Sequence, residues 1–191
     1  MDATVLAAIA RWPNVPAVFG WLSLTARGEW RIRGEPIANA ALRDFIGRNY
    51  AADDRGRWYF QNGPQRVYVE LELAPLIFRL QCDGTLRTHT GEVPRELRAA
   101  ALVDGATFAL LTELGPGSVD DRDAAQFLAA LANAAGRPLA EPDLEAAFRG
   151  EIQAYVSASR CGLRGSRVLL QPMRSKQLGS AFGFDPLRMP G

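Results

Sequence analysis

The only histidine of the chain, His89, lies in the segment THTGE. An imidazole titrates near neutrality and can act as a general base. It needs a nucleophile and an orienting carboxylate, and Thr88, Thr90 and Glu92 are the company that the sequence offers. Adjacency along a strand does not build a triad, and no GxSxG elbow is present. A structural hydrogen bond or a ligand contact is the simpler role for His89. The rival is a metal-independent, hydrolase-like enzyme that uses it as base.

Other chemistry is weaker still. One histidine and two distant cysteines, Cys82 and Cys161, match no zinc spacing. Asp120, Asp121 and Asp123 could hold a hard cation, but acids at a helix start suit the helix dipole and explain themselves. Glu70 and Glu72 would sit about 6–7 Å apart on one strand face. That separation alone meets the distance rule for glycosidases, yet catalytic carboxylates flank a cleft from different elements. Neither GxxxxGK[ST] nor GxGxxG occurs, and the acids after LGPGS would repel phosphate. No metal and no cofactor is expected.

The richest constellation is polar and aromatic. Arg48, Asn49, Tyr50, Asp54, Trp58, Tyr59, Gln61, Asn62, Gln65, Arg66 and Tyr68 crowd a short stretch. Tyr59 and Tyr68 should share an exposed face across a hairpin, with amides at its tip. Tyr59, Gln61, Asn62, Gln65, Arg66 and Tyr68 are thus the expected ligand-binding set, able to stack on and hydrogen-bond a planar or peptide-like partner. The competing reading packs these aromatics on a helix over residues 40–50.

The positioning elements follow from pattern. A helix is expected over residues 2–12, ended by Pro13. Residues 18–25 and 29–33 read as a hairpin, and Asn39 caps a helix over residues 40–50. Residues 57–61 and 65–73 form a hairpin about Asn62-Gly63. In its return strand Val67, Val69, Leu71 and Leu73 face the core, and Arg66, Tyr68, Glu70 and Glu72 face water. Strands over 76–82 and 85–90 extend it. Together these make an α+β fold, with an antiparallel β-meander over residues about 18–90 packed with helices. Gly28, Gly56 and Gly84 are evenly spaced along the chain, each with an apolar residue two positions on; coincidence or three similar hairpin arms is a simpler reading than a stacked repeat.

Beyond residue 92 the pattern mixes strands and helices. Residues 93–102 read as a short helix or irregular arm, 106–111 as a strand and 114–119 as a loop. Helices are expected from Asp120 to about residue 135 and over 141–148, the latter led by Pro142. Strands are expected at 152–157, 167–170 and 181–184. One domain over residues 1–191 is preferred to a division into 1–92 and 93–191.

Charge nearly cancels, at 22 basic against 21 acidic residues. The two signs interleave, which disfavours a nucleic-acid partner. Asp2 stands where a signal peptide is basic, and no run approaches the roughly 20 apolar residues of a membrane span. A cytoplasmic protein is expected, with a small-molecule or peptide partner and the option of a homo-oligomer.

The phrases RWYFQNGPQRVYVELE, WPNVPAVFGWLSL, FIGRNY, HTGE and LLTELGPGSVDDRD resemble a small, mainly proteobacterial family of uncharacterised proteins. The resemblance covers most of the chain from Trp12 to Asp123 and implies a bacterial cytoplasmic protein of unknown function. It carries over no functional residue. The expected function is non-catalytic binding or an accessory role, with the His89 enzyme and an oligomeric structural subunit as alternatives.

Overall fold

The structure is a computed structural model and describes residues 1–187. Its contacts gather into two compact units. The first holds residues 1–75 and the chain from Gly183 onward; the second holds Leu76–Phe182. The division falls after Pro75.

The first unit opens with α1 (Ala3–Arg11), then β1 (Val18–Leu24), β2 (Trp30–Ile32) and the short β3 (Glu35–Pro36). Next come α2 (Ala40–Arg48), β4 (Tyr50–Ala52), β5 (Trp58–Asn62) and β6 (Gln65–Leu71). Asn39 caps α2 as expected, its side chain accepting from the Leu42 amide at 3.1 Å. Phe45 of α2 meets Phe60 edge to face at 5.5 Å, which lays the helix on the apolar side of the sheet. Val69, Leu71, Leu22, Leu24 and Trp30 complete that core.

The strand order is β3-β2-β1-β6-β5-β4. Every pair is antiparallel except β1 with β6, which run parallel. The expected α+β fold with partly antiparallel, meander-like sheets is present, and the β1–β6 pair is a parallel step within it. Alternation in a sequence fixes which residues share a face but does not name the neighbouring strand. The turn between β5 and β6 also moves by one residue. Asn62 pairs with Gln65, so Gly63-Pro64 forms the two-residue loop. Gly63, at φ 55°, supplies the positive first position that a II′ turn needs.

The second unit begins with β7 (Leu76–Leu80), β8 (Leu86–Thr88), β9 (Leu97–Val103), β10 (Thr107–Thr112) and β11 (Gly115–Val119). Short helical turns surround α3 (Ala124–Phe127) and lead to β12 (Leu131–Ala132). Then follow α4 (Glu141–Phe148), β13 (Tyr155–Ser157), β14 (Arg167–Met173) and α5 (Ser175–Phe182). The sheet order is β12-β13-β14-β9-β10-β11-β7-β8, with β7–β11 and β9–β14 parallel.

Four expectations fail here. Residues 97–103 are a strand despite their alanines, because Ala100, Ala101 and Val103 are buried within the sheet. Residues 115–119 are a strand despite GPG. Gly117 is needed there, since a Cβ would stand 2.5 Å from Phe78 Cε2 and 2.6 Å from the Leu76 carbonyl oxygen. The helix from Asp120 stops at Ala130, after which Leu131 enters β12. Residues 175–182 are helical, against the strand expected from residue 181, and bury Leu178 and Phe182.

The even glycine spacing has a local cause. At Gly28, Gly56 and Gly84 the glycine N–H donates to the carbonyl three residues earlier, at 2.9–3.1 Å. The residue at that earlier position, Thr25, Asp53 or Gln81, donates its N–H to the carbonyl of the residue after the glycine. Each glycine has φ between 75° and 81°, the left-handed residue of a three-residue hairpin loop. A larger likeness lies behind the turns. In unit one the run β2-β1-β6-β5-β4 is antiparallel, parallel, antiparallel, antiparallel. In unit two β8-β7-β11-β10-β9 repeats it. Within each run a hairpin with a two-residue loop follows the parallel step, at Gly63-Pro64 and at Glu113-Leu114.

Candidate functional site

Register places Tyr59 opposite Tyr68, Gln61 opposite Arg66, and Ser23 between Glu70 and Arg31. By the two-residue period these belong to one face of the first sheet. The alternation therefore predicts the face correctly but not its exposure. Tyr59, Gln61 and Tyr68 are buried; Asn62 and Arg66 are exposed and Gln65 is half-buried. The expected open aromatic surface at Tyr59 and Tyr68 is corrected accordingly.

The reason lies in what each residue touches. The Phe19 ring stacks on Tyr68 at 4.5 Å with 6° between planes, and the Arg57 guanidinium lies 4.6 Å from the Tyr68 ring centre. Tyr68 donates its hydroxyl to Asp53 Oδ2 at 3.0 Å, and Arg57 donates to the same hydroxyl at 3.1 Å. Asp53 Oδ1 accepts the amides of Arg55 and Arg57. Burial pushes the Asp53 carboxyl up, but the hydrogen bonds from Arg57, Tyr68 and Arg55 outweigh it and hold the group at about 2. This network ties the turn at Gly56 to the sheet, so Tyr68 is structural. Gln61 donates its side-chain amide to the Gly63 carbonyl, and Gln65 donates to the Pro16 carbonyl. Both amides satisfy backbone carbonyls. Arg66 lies over the Tyr59 ring at 4.7 Å.

The open part of this face lies one strand over. A groove of about 520 Å³ is lined by Ser23, Leu24, Thr25, Arg31, Gly34, Glu70, Leu71 and Glu72. Farther along β1, Trp21 and Phe19 are each half exposed, and Arg33 stacks over Trp21 at 4.1 Å. Arg31 pairs with Glu29 at 3.4 Å, while its Nε is buried with no hydrogen-bond partner. Glu72 accepts the Ala26 amide at 2.9 Å. The groove is thus lined by two carboxylates, a guanidinium and two hydroxyls, of which Glu72 and Thr25 already accept backbone amides, in a space of small-ligand size. Sequence reasoning missed Ser23 and Arg31, and it placed Glu70 and Glu72 only as a solvated face. A signal existed: the shift that carries Gly28 onto Gly84 also carries Ser23 onto Arg79 and Arg31 onto Arg87.

His89 sits elsewhere, in the second unit. Its Nδ1 accepts the Ile77 amide at 3.2 Å while its own amide donates to the Ile77 carbonyl at 2.8 Å. The proton of the neutral ring must then reside on Nε2. Burial, assisted by the positive charge of Arg79, pushes the imidazole down to about 3. A ring whose only lone pair is taken by a backbone amide is a poor general base at neutral pH. Thr88 and Thr90 bond to each other at 2.8 Å, and Thr88 Oγ1 accepts the Glu92 amide, so both hydroxyls serve the turn.

Asp120 caps the following helical turn by accepting from the Arg122 amide at 3.1 Å. Its buried carboxylate is also held by the Arg122 guanidinium and by Arg79 at 3.3 Å. Those bonds from Arg122 outweigh desolvation and bring the Asp120 carboxyl down to about 2. Cys161 is buried, which pushes its thiol up to about 12, while Cys82 is exposed and both are free. Among the described residues no group of three or more His, Cys, Asp or Glu side chains could hold a metal ion. No described helix is long and apolar enough to cross a membrane.

No curated protein matches the chain. Two solved structures of the DUF1285 family resemble it. One, from Silicibacter pomeroyi DSS-3, is 16% identical over 69% of this chain and 86% of that one, with a TM-score of 0.45. The other, from Shewanella baltica OS155, is 18% identical over 57% of this chain and 91% of that one, with a TM-score of 0.44. Likeness at this level transfers neither activity nor ligand. The family model described as "Protein of unknown function (DUF2946)" spans residues 1–187, and the chain belongs to that family.

Proposed function

We propose that the protein is a non-catalytic binding protein that holds a small molecule or peptide segment on the open face of its first sheet. The observation that carries this reading is the groove of about 520 Å³ between Ser23, Arg31 and Glu70, with half-exposed Trp21 and Phe19 farther along the same strand. Charged and hydroxyl groups converging beside aromatic rings favour a polar ligand with an apolar or planar part. Interleaved charges disfavour nucleic acid as the partner. The family resemblance supports a mainly proteobacterial, cytoplasmic protein. The hydrogen bond that occupies His89 Nδ1 argues against the enzyme reading.

A two-dimensional NMR screen of the whole chain against a polar metabolite library tests this. Ligand-induced shifts should gather at Phe19, Trp21, Ser23, Arg31 and Glu70. Shifts gathered at residues 77–92 instead, or a turnover that disappears in His89→Asn, would refute it.

A further inference from the structure

We propose, resting on the binding reading above, that the groove of the first unit takes the guanidinium of a free arginine-like amino acid. The support is internal to the fold. A run of five strands in one unit corresponds to a run of five in the other, with β1, β2 and β6 matching β7, β8 and β11. Aligning Gly28 with Gly84 places Ser23 at Arg79 and Arg31 at Arg87. The register between the parallel strands sets Val69 beside Leu22 and Val119 beside Phe78, so Glu70 stands where Asp120 does.

One row of side chains therefore crosses each sheet on the same face. In the second unit it reads Asp120, Arg79, Arg87. In the first it reads Glu70, Ser23, Arg31. The second unit fills its own site, since the Arg79 guanidinium lies 3.3 Å from the buried Asp120 carboxylate and directly opposite Arg87. The first unit keeps the acid and the flanking arginine but replaces the middle guanidinium with a serine. The groove is what that replacement leaves. Two residues past the acid, Arg122 of the second unit is matched by Glu72 of the first. The first unit thus lacks both cations that hold Asp120 and has a second carboxylate in place of one of them.

A cation at Glu70 would be neighboured by Arg31, which at first counts against it. The second unit answers this, because Arg79 and Arg87 stand as direct cross-strand partners beside one acid. The buried Nε of Arg31 also lacks an acceptor. The Arg31 side chain as a whole is 40% exposed, so a ligand that brings a guanidinium to Glu70 and a carboxylate to the exposed part of the Arg31 guanidinium pairs both, and an α-amino acid with a guanidinium side chain carries both groups. A guanidinium is preferred to an ammonium because its planar fork matches a carboxylate with two hydrogen bonds.

The test is calorimetric titration of the full chain with L-arginine, L-citrulline and agmatine. Citrulline keeps the shape and loses the charge; agmatine keeps the guanidinium and loses the carboxylate. Arginine should bind, with citrulline and agmatine each about tenfold or more weaker. Ser23→Arg should abolish binding by placing the missing guanidinium on Glu70, as Arg79 does on Asp120. Glu70→Gln should weaken it about tenfold or more in a chain whose thermal midpoint is unchanged. No binding of arginine at millimolar concentration, equal binding of citrulline, or full affinity in folded Ser23→Arg would overturn the proposal. If arginine fails while another ligand shifts Trp21 and Glu70 in the NMR screen, the guanidinium assignment falls and the binding face stands.

Discussion

Taking the protein from pH 7.5 to pH 5.0 should remove about 2 kcal/mol of folding stability through His89 alone. The folded imidazole is held at about 3, against an ordinary 6.5. In that window the unfolded chain takes up a proton and the folded chain does not, so stability falls with pH at up to about 1.4 kcal/mol per unit. The contribution is complete above 6.5 and is lost progressively as the pH drops toward 3. Integrating between 7.5 and 5.0 with those two values gives about 2 kcal/mol. Because His89 is the only histidine, no second imidazole confuses the assignment. Asp53 and Asp120, held at about 2, begin to lose their stabilisation only near the ordinary carboxylate value of 3.8. Urea unfolding at closely spaced pH steps measures the slope. His89→Asn is the matched control, since its side-chain oxygen can still accept the Ile77 amide but does not titrate in this range. The variant should show a flat profile from 7.5 to 5.0. A wild-type profile as flat as the variant's, or an imidazole NMR signal titrating between pH 6 and 7 in the folded chain, would refute the geometry that places Nδ1 on the Ile77 amide.

Two further outcomes test the packing. Tyr68→Phe keeps the ring stacked on Phe19 but removes the hydroxyl that bridges Asp53 and Arg57, and should cost about 1–2 kcal/mol in chemical denaturation; a cost under about 0.5 kcal/mol would mean the network does not anchor the Gly56 turn. Gly117→Ala drives a methyl to 2.5 Å from Phe78 Cε2 and 2.6 Å from a backbone oxygen, and should cost about 1–3 kcal/mol or more, against a smaller loss in Gly34→Ala, where a Cβ meets nothing within 4 Å and only the left-handed backbone is strained.

Helices with their own punctuation could be read directly. Asn39 marks the start of α2, and α4 runs over residues 141–148 with Pro142 in its first turn, because caps and proline act within one turn of chain. The β5–β6 hairpin is legible for the same reason. What escapes depends on long-range partners. RAAALV in β9 carries helix formers, and GPGSV in β11 carries turn formers, yet each is held between two neighbours in the sheet. Tertiary pairing overrides propensity there. The tyrosines show a related limit. Tyr68 alternates with Val67 and Val69, and alternation separates polar from apolar sides without saying whether the polar side is covered. Phe19, which covers Tyr68, comes from far upstream, across a parallel pair that no local signal announces.

The glycine spacing is the most informative pattern, and its meaning is larger than three similar turns. Two five-strand runs of matching order and direction place chemically different rows at one address. Where the second unit sets Arg79 against Asp120, it commits a buried carboxylate, held by Arg79 and Arg122 together, to holding its own fold. Where the first unit sets Ser23 beside Glu70, the acid is left to face a groove. A carboxylate can stay there at small cost because the groove is open to water, which the buried Asp120 is not. The same strand framework thus supports a closed ion pair in one unit and an open carboxylate in the other. The single position that decides between them, Ser23 against Arg79, is where a change of one side chain should convert binding into stability.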